Sequence, residues 1–137
     1  MLGHIRIGRF MQAFLLVGVG GALGSMARYG VAEIVGRFWR ANFPLSTLII
    51  NIIGSVIMGL FVGLLARLTP TWGAEMRLFF AVGVLGGFTT FSTFSLDIVS
   101  QMERGEILPA LLYIGLSVAV SIIGLYLGLL AVRVSPL

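Results

Sequence analysis

Residues 86–94 decide the fold, and they read Gly86-Gly87-Phe88-Thr89-Thr90-Phe91-Ser92-Thr93-Phe94. They lie in the middle of an apolar segment that runs from about residue 78 to residue 99. Two adjacent glycines and four hydroxyl side chains disfavour a continuous helix. Backbone that leaves a helix within a membrane must be buried in protein or line a wet cavity. Two half-helices that meet there present carbonyl groups from one end and N–H groups from the other, which is an arrangement that binds ions. The stretch therefore predicts a broken membrane helix with the other spans arranged around it.

The composition is that of a membrane protein. The chain has 137 residues, of which 58% are hydrophobic and 10% charged, and that length holds about four spans of ~20 residues each. All nine basic residues are arginine and none forms a basic run, which excludes a nucleic-acid surface. The chain has no cysteine and a single histidine, which excludes thiolate chemistry and a transition-metal site. No nucleotide-binding motif is present, and nothing in the pattern indicates an enzyme.

The hydropathy pattern predicts an all-α membrane protein. Residues 1–137 are predicted to form a single transmembrane domain with four transmembrane helices, the third broken at mid-membrane, at about residues 11–35, 45–66, 74–101 and 108–132. A secretory signal peptide is an alternative for the N-terminus, because Arg6 and Arg9 precede an apolar run and residues 24–27 resemble a cleavage site. The run continues to Val35, and this favours an uncleaved first span.

The first span carries glycines on one helical face. Gly20, Gly24 and Arg28 follow one another at intervals of four residues. The two glycines indicate close helix packing. Arg28 is predicted near the far interface of the membrane, where it either snorkels to water or forms a vestibule that attracts anions.

Polar residues also recur every four positions on the second and fourth spans. The second span carries Thr47, Asn51 and Ser55 in this register, and an amide at the depth of Asn51 must face protein or water. The fourth span carries a polar stripe that consists of Tyr113, Ser117 and Ser121. On the second span, the two interpretations are an interhelical hydrogen bond from Asn51 and the lining of a pathway. On the fourth span, they are hydrogen bonds from the serines back to their own backbone and the lining of a pathway. Asp97, eight residues after the break, is either an interfacial carboxylate or part of such a site.

The chain has no internal repeat, although transport folds with inverted repeats need two halves. The second half would therefore be a second copy. With four spans, the eight arginines other than Arg28 divide five against three between the two membrane sides: Arg6, Arg9, Arg67, Arg77 and Arg133 on one, and Arg37, Arg40 and Arg104 on the other. So weak a bias permits insertion in both orientations. Two opposed copies could then pair about a two-fold axis in the membrane plane.

The chemistry of the polar stripes favours a small anion. Asn, Ser, Thr and Tyr side chains supply hydrogen-bond donors without permanent charge. The ring edges of Phe91 and Phe94 carry the positive end of the aromatic quadrupole. Neutral donors bind an anion weakly enough for release, whereas a mid-membrane arginine would hold it.

Three motifs carry a resemblance to a known family. Residues 20–29, 51–55 and 86–95, in this order and spacing, resemble the Fluc family of bacterial fluoride channels, and the resemblance covers all four spans. It implies a fluoride-selective ion channel that gives passive export of fluoride from the cytoplasm across the bacterial inner membrane. It further implies an antiparallel, dual-topology homodimer in the lipid bilayer, with two pores and one structural sodium ion at the dimer interface.

The resemblance also implies residue roles. The sodium ion would be bound by the backbone carbonyls of Gly86 and Thr89 from both copies. The residues that match the fluoride pore are Asn51, Phe91, Phe94, Ser117, Ser121, Thr47 and Tyr113. Arg28 matches the arginine of the first-span motif and is assigned to the vestibule, and Asp97 stands where relatives carry a glutamate.

Two other functions compete with this interpretation. A small dual-topology multidrug antiporter needs an acidic residue deep in the first span for proton exchange, and the sole candidate, Glu33, lies near the end of that span. A structural or assembly subunit would explain the glycine faces but not the stripes that contain Asn51 and Ser117.

Overall fold

The structure, a computed structural model, describes residues 2–134, with side chains from residue 7 onward. The Arg6 side chain, counted in the topology above, lies outside this part. Within this part, four helical segments are long and apolar enough to cross a membrane, and they are Ile7–Phe38, Leu45–Leu68, Gly73–Glu103 and Ile107–Val134. The prediction of an all-helical protein with four membrane spans is confirmed. The first helix begins earlier than its span, at Leu2.

The third span is broken where the sequence predicted. Its helical pieces are Gly73–Met76, a π-helix over Arg77–Leu85, Gly86–Phe88 and Phe91–Glu103. Between the last two, Thr89 and Thr90 are extended, with φ/ψ of −76°/160° and −151°/123°. The π-helix was not predicted; its wider turns carry i→i+5 hydrogen bonds, such as that from the Gly86 N–H to the Ala81 carbonyl. We call residues 73–88 the proximal half of the span and Phe91–Glu103 the distal half-helix.

Glycines bring the first helix into contact with the proximal half. Gly20 and Gly24 are buried, and a Cβ atom added at Gly24 would collide with the Val84 carbonyl and lie 2.9 Å from the Phe88 nitrogen. A methyl group cannot be accommodated there because its neighbours are backbone atoms. The close packing predicted for this face is confirmed.

The second and fourth helices pair in the same way. A Cβ atom added at Gly128 would lie 2.5 Å from the Val56 carbonyl oxygen, and one at Gly59 would collide with the Leu125 carbonyl. These approaches allow backbone-to-backbone packing, which is favourable in membranes, where lipid offers no hydrophobic drive for helix association. The molecule thus consists of two glycine-mediated helix pairs, and the distal half-helix leaves the first pair to pack on the second.

Polar contacts join the loops at one end of the bundle. The Asn42 side-chain amide donates to Glu106 Oε1 at 3.2 Å, and Arg104 pairs with Glu106 Oε2 at 3.0 Å. The hydrogen bond from Arg104 lowers the pKa of Glu106 below its usual value. These contacts tie the loop before the second helix to the turn after the distal half-helix.

Candidate functional site

The break is held by the amide of Asn51. Its Nδ2 donates to the Thr90 carbonyl at 3.1 Å, and the Thr90 N–H donates to its Oδ1 at 2.9 Å. An asparagine amide presents the same donor and acceptor as a peptide group, so it can pair with an extended residue as a neighbouring strand would. One side chain of the second helix therefore satisfies both backbone groups of Thr90 at the point where the third span stops being helical.

The carbonyl groups of residues 86–89 lose their helical i+4 donors at the break, and those of Gly86 and Thr89 can be followed to the groups that replace them. The i+4 donor for Gly86 would be the Thr90 N–H, which goes to Asn51 instead. The i+4 donor for Thr89 would be the Thr93 N–H, which donates to the Thr90 hydroxyl oxygen at 3.2 Å. Thr90 thus acts as an N-cap of the distal half-helix. The carbonyls left in this way include those of Gly86 and Thr89, the two residues that the resemblance assigned to sodium.

A groove of about 340 Å³ opens beside the break. It lies between the second helix, the start of the distal half-helix and the fourth helix. Its wall is formed by Asn51, Gly54, Ser55, Met58, Thr89, Thr90, Phe91, Phe94, Ser117, Val118, Ser121 and Leu125. The structure therefore brings together five of the seven residues predicted for the pore, and these are Asn51, Phe91, Phe94, Ser117 and Ser121.

The groove is polar without being charged. The hydroxyl oxygens of Ser117 and Ser121 are buried and have no hydrogen-bond partner in the described part of the chain. The second N–H of the Asn51 amide is not used by Thr90. The rings of Phe91 and Phe94 stand side by side with centroids 5.6 Å apart, tilted by 44°. Hydroxyl and amide donors thus lie next to aromatic rings, and no charged residue belongs to the wall.

Thr47 and Tyr113 lie beyond the wall of the groove. Thr47 is 5% exposed and Tyr113 is fully buried, with its ring 5.2 Å from that of Phe94 between centroids. The Tyr113 hydroxyl donates to Asp97 Oδ2 at 3.1 Å. The polar column that starts at Ser121 therefore continues past Ser117 to a tyrosine and acid pair near the end of the bundle.

Arg28 is half-buried and is not part of the groove. It follows Gly24 by one turn of the first helix, on the way to the loop after Phe38. Within the described residues its guanidinium makes no hydrogen bond or ion pair, and this leaves its charge available to solutes at that end.

The sequence analysis missed Gln101 and the role of Thr90. Gln101 is 1% exposed, its Nε2 donates to the Asp97 carbonyl at 3.3 Å, and its Oε1 has no partner in the described part of the chain. Its four-residue interval from Asp97 was the available signal, because it extends the polar face of the distal half-helix by one turn. Nothing in the sequence distinguished Thr90 from the other three hydroxyl residues in the stretch 86–94.

The side chains offer no conventional metal centre. Among the described residues, no three His, Cys, Asp or Glu side chains lie close enough together to hold a metal ion. A cation at the break would have to be bound by backbone oxygens, which suit hard cations.

The fold and groove define a class of protein, namely a small polytopic membrane protein with an uncharged, donor-rich path at mid-membrane, as in an ion channel. Residues 15–129 match the family described as CrcB-like protein, Camphor Resistance (CrcB). The relatives named fluoride-specific ion channel FluC include the protein of Hyphomonas neptunium, which is 46% identical over 123 residues (90% of this chain and 97% of the relative). Those of Agrobacterium fabrum (51% identical over 114 residues, 83% and 90%) and Mesorhizobium japonicum (48% over 130 residues, 92% and 100%) are also similar.

The chain belongs to the CrcB/FluC family of fluoride-specific ion channels. The predicted family, the predicted channel function and the prediction that the protein is not an enzyme are confirmed by this membership. With four candidate spans and these relatives, it is a multi-pass membrane protein.

Proposed function

We propose that this channel gives passive export of fluoride through the groove, and that its residues 1–137 act as one transmembrane domain in the bacterial inner membrane. Hydrogen fluoride crosses membranes in its neutral form and dissociates inside the cell, so that a channel lets the trapped anion leave. The observation that carries the proposal is the pair of buried, unpartnered hydroxyls of Ser117 and Ser121. They offer donors to an anion without a charge that would retain it.

Asn51 and the two phenylalanines complete the proposed pore. The free N–H of the Asn51 amide and the ring edges of Phe91 and Phe94 supply further weak contacts to fluoride. Thr47 and Tyr113 form the end of the path beyond Ser117. Arg28 provides a positive vestibule, which raises the local concentration of anions.

An antiparallel homodimer would close the groove. The groove is open on one side, and Phe91 at its edge is 78% exposed. Polar groups and irregular backbone at this depth cannot face lipid, so a second copy is needed to cover them. The five-to-three arginine division permits the opposed orientation that a two-fold axis in the membrane plane requires. Two copies would then give two grooves.

Orientation can be tested on a chain that contains no cysteine. Thr71→Cys introduces one thiol at an exposed position in the loop between the second helix and the third span. In a dual-topology protein, an impermeant thiol reagent labels about half of the molecules from each side of the membrane. Labelling from one side alone, in protein that conducts fluoride, would refute the antiparallel dimer.

The carbonyl groups of Gly86 and Thr89 are suited to a structural sodium ion. Both have lost their helical donors, and lipid supplies no water to replace them. Two copies would bring two such pairs of oxygens together, and their mutual repulsion is relieved by a cation. When bound, the ion supplies a fixed positive charge at the dimer interface. The two residues hold it through backbone oxygens, while Asn51 and Thr90 keep these oxygens out of helical hydrogen bonds.

The test of the function is anion efflux from liposomes that contain the purified protein. We expect rapid fluoride efflux, no matched chloride efflux and no dependence on a proton gradient. Efflux that requires a proton gradient would instead support an antiporter, and the absence of any flux from correctly folded protein would support an assembly subunit.

A further inference from the structure

The distal half-helix begins at mid-membrane with four backbone N–H groups that have no partner within the helix, as at any helix N-terminus. Two of them are satisfied, since the Thr90 N–H donates to Asn51 and the Thr93 N–H donates to the Thr90 hydroxyl. The N–H groups of Phe91 and Ser92 donate to no acceptor in the part of the chain that the structure describes. Two donors thus remain at the first and second positions of a helix that runs to Glu103.

The groove beside this helix start contains a second feature that indicates a ligand. Ser117 is 5% exposed, its hydroxyl has no partner among the described residues, and it belongs to the same wall as Thr90 and Phe91. A buried hydroxyl without a partner costs free energy unless something enters to accept or donate a hydrogen bond. Phe91 and Ser117 belong to the same wall, and Ser92 follows Phe91 in the chain, so a species bound in the groove would offer partners to groups of both elements.

The charge of that species follows from the helix. A helix N-terminus carries a partial positive charge, which salt screens much less within a membrane protein than at an exposed surface. Backbone N–H groups are donors only, and the wall of the groove contains no acidic side chain. The site accordingly favours an anion and disfavours a cation. The carbonyl groups of Gly86 and Thr89, on the other side of the break, have the opposite preference.

We propose that the backbone N–H groups of Phe91 and Ser92, together with the Ser117 hydroxyl, bind the permeating anion at mid-membrane. This inference rests on the proposed function and adds main-chain donors to it. It assigns part of the anion's coordination to the position of the break itself, rather than to side chains alone. A small anion that accepts hydrogen bonds strongly gains most from fixed N–H donors, whereas a larger halide spreads its charge and gains less.

The test removes one N–H group and leaves every side chain in place. Phenyllactic acid, introduced at position 91 by nonsense suppression, keeps the Phe91 ring and replaces its N–H with an ester oxygen. The reference is the same protein with phenylalanine returned to position 91 by the same method. The matched control is the α-hydroxy analogue of isoleucine at Ile107, which occupies the same first position of the fourth helix but lies outside the groove.

The expected result is a selective loss of fluoride flux at position 91. Removing one hydrogen bond to a charged group should lower the flux by about tenfold or more, while the ester at Ile107 keeps the flux of the reference. Equal flux from the two esters would overturn the proposal. A reference protein without fluoride flux would instead refute the proposed function, so the two failures are distinguishable.

A second comparison covers the case in which the ester at position 91 disturbs folding. Lactic acid at position 92 is compared with Ser92→Ala, which has the same side chain and retains the N–H group. A further loss of flux in the lactic acid protein, at an unchanged elution volume in size-exclusion chromatography, supports the site. The same flux in both proteins refutes it for Ser92, and the absence of an effect at both positions refutes it altogether.

Discussion

Replacement of Asn51 by alanine should open the break. The substitution removes both hydrogen bonds to Thr90, at 3.1 Å from Nδ2 and 2.9 Å to Oδ1. It leaves a buried N–H and a buried carbonyl without partners, and each such group costs about 1–3 kcal/mol. Water that enters the adjoining groove would recover part of this cost. We therefore expect Asn51→Ala to destabilise the folded protein by about 2–4 kcal/mol.

Hydrogen exchange gives the most direct measurement. The Thr90 N–H should be protected in the unaltered protein, because Asn51 accepts it, and should exchange rapidly in Asn51→Ala. Denaturant unfolding in detergent gives the loss of free energy. The matched control is Ser55→Ala, one turn further along the same face and on the same groove, because the Ser55 hydroxyl makes no hydrogen bond within the described residues. Ser55→Ala should alter stability by less than about 0.5 kcal/mol.

Two results would refute this reasoning. Equal stability of Asn51→Ala and Ser55→Ala would show that the amide does not hold the break. Continued protection of the Thr90 N–H in Asn51→Ala would show that another group accepts it. Asn51→Asp provides an intermediate case, since it keeps the acceptor for the N–H but places a carboxylate oxygen against the Thr90 carbonyl, and it should also reduce fluoride flux by repelling the anion.

Three further predictions concern the pore, the helix packing and the cation. Phe94→Ile removes the ring edge and keeps most of the bulk, so fluoride efflux from liposomes should fall by about tenfold or more; normal efflux would mean that the ring serves packing alone. Gly24→Ala should destabilise the protein in denaturant by about 1–3 kcal/mol, because the new methyl group meets backbone atoms, whereas Gly18→Ala, with no atom within 4 Å of the added Cβ, should have little effect. Long dialysis into sodium-free solution should lower both fluoride flux and dimer stability, and sodium that moves with fluoride at a fixed ratio would contradict a structural ion.

The sequence was sufficient to predict the elements that depend on local pattern. Glycine spacing on the first span predicted the close packing at Gly20 and Gly24, because a four-residue interval places small residues on one helical face. The Gly86-Gly87 pair and the hydroxyl residues after it predicted the break, because neither favours a continuous helix. These features are encoded within a few turns of one helix.

Features that depend on contacts between helices could not be predicted in this way. The pairing of Asn51 with the Thr90 backbone joins residues 39 positions apart, and residue spacing along the second helix contains no information about its partner. The π-helix was also missed, since an apolar run of this kind is compatible with either helix type. Gln101 was overlooked because its burial depends on how the helices pack, which its interval from Asp97 does not show.

One acidic residue, Asp97, lies close to the groove that is proposed to conduct an anion. Asp97 is not part of the groove wall, and its Oδ2 accepts the hydroxyl hydrogen of Tyr113 at 3.1 Å. A tyrosine hydroxyl has a single hydrogen, so while this bond is made Tyr113 cannot also donate to an anion. In the proposed path, Tyr113 therefore contributes at the end beyond Ser117 by holding the acid with a hydrogen bond, and not by donating to fluoride. Because repulsion between two negative charges falls with their separation and is larger in a medium of low dielectric constant, we expect that holding Asp97 outside the wall reduces its repulsion of an anion in the groove.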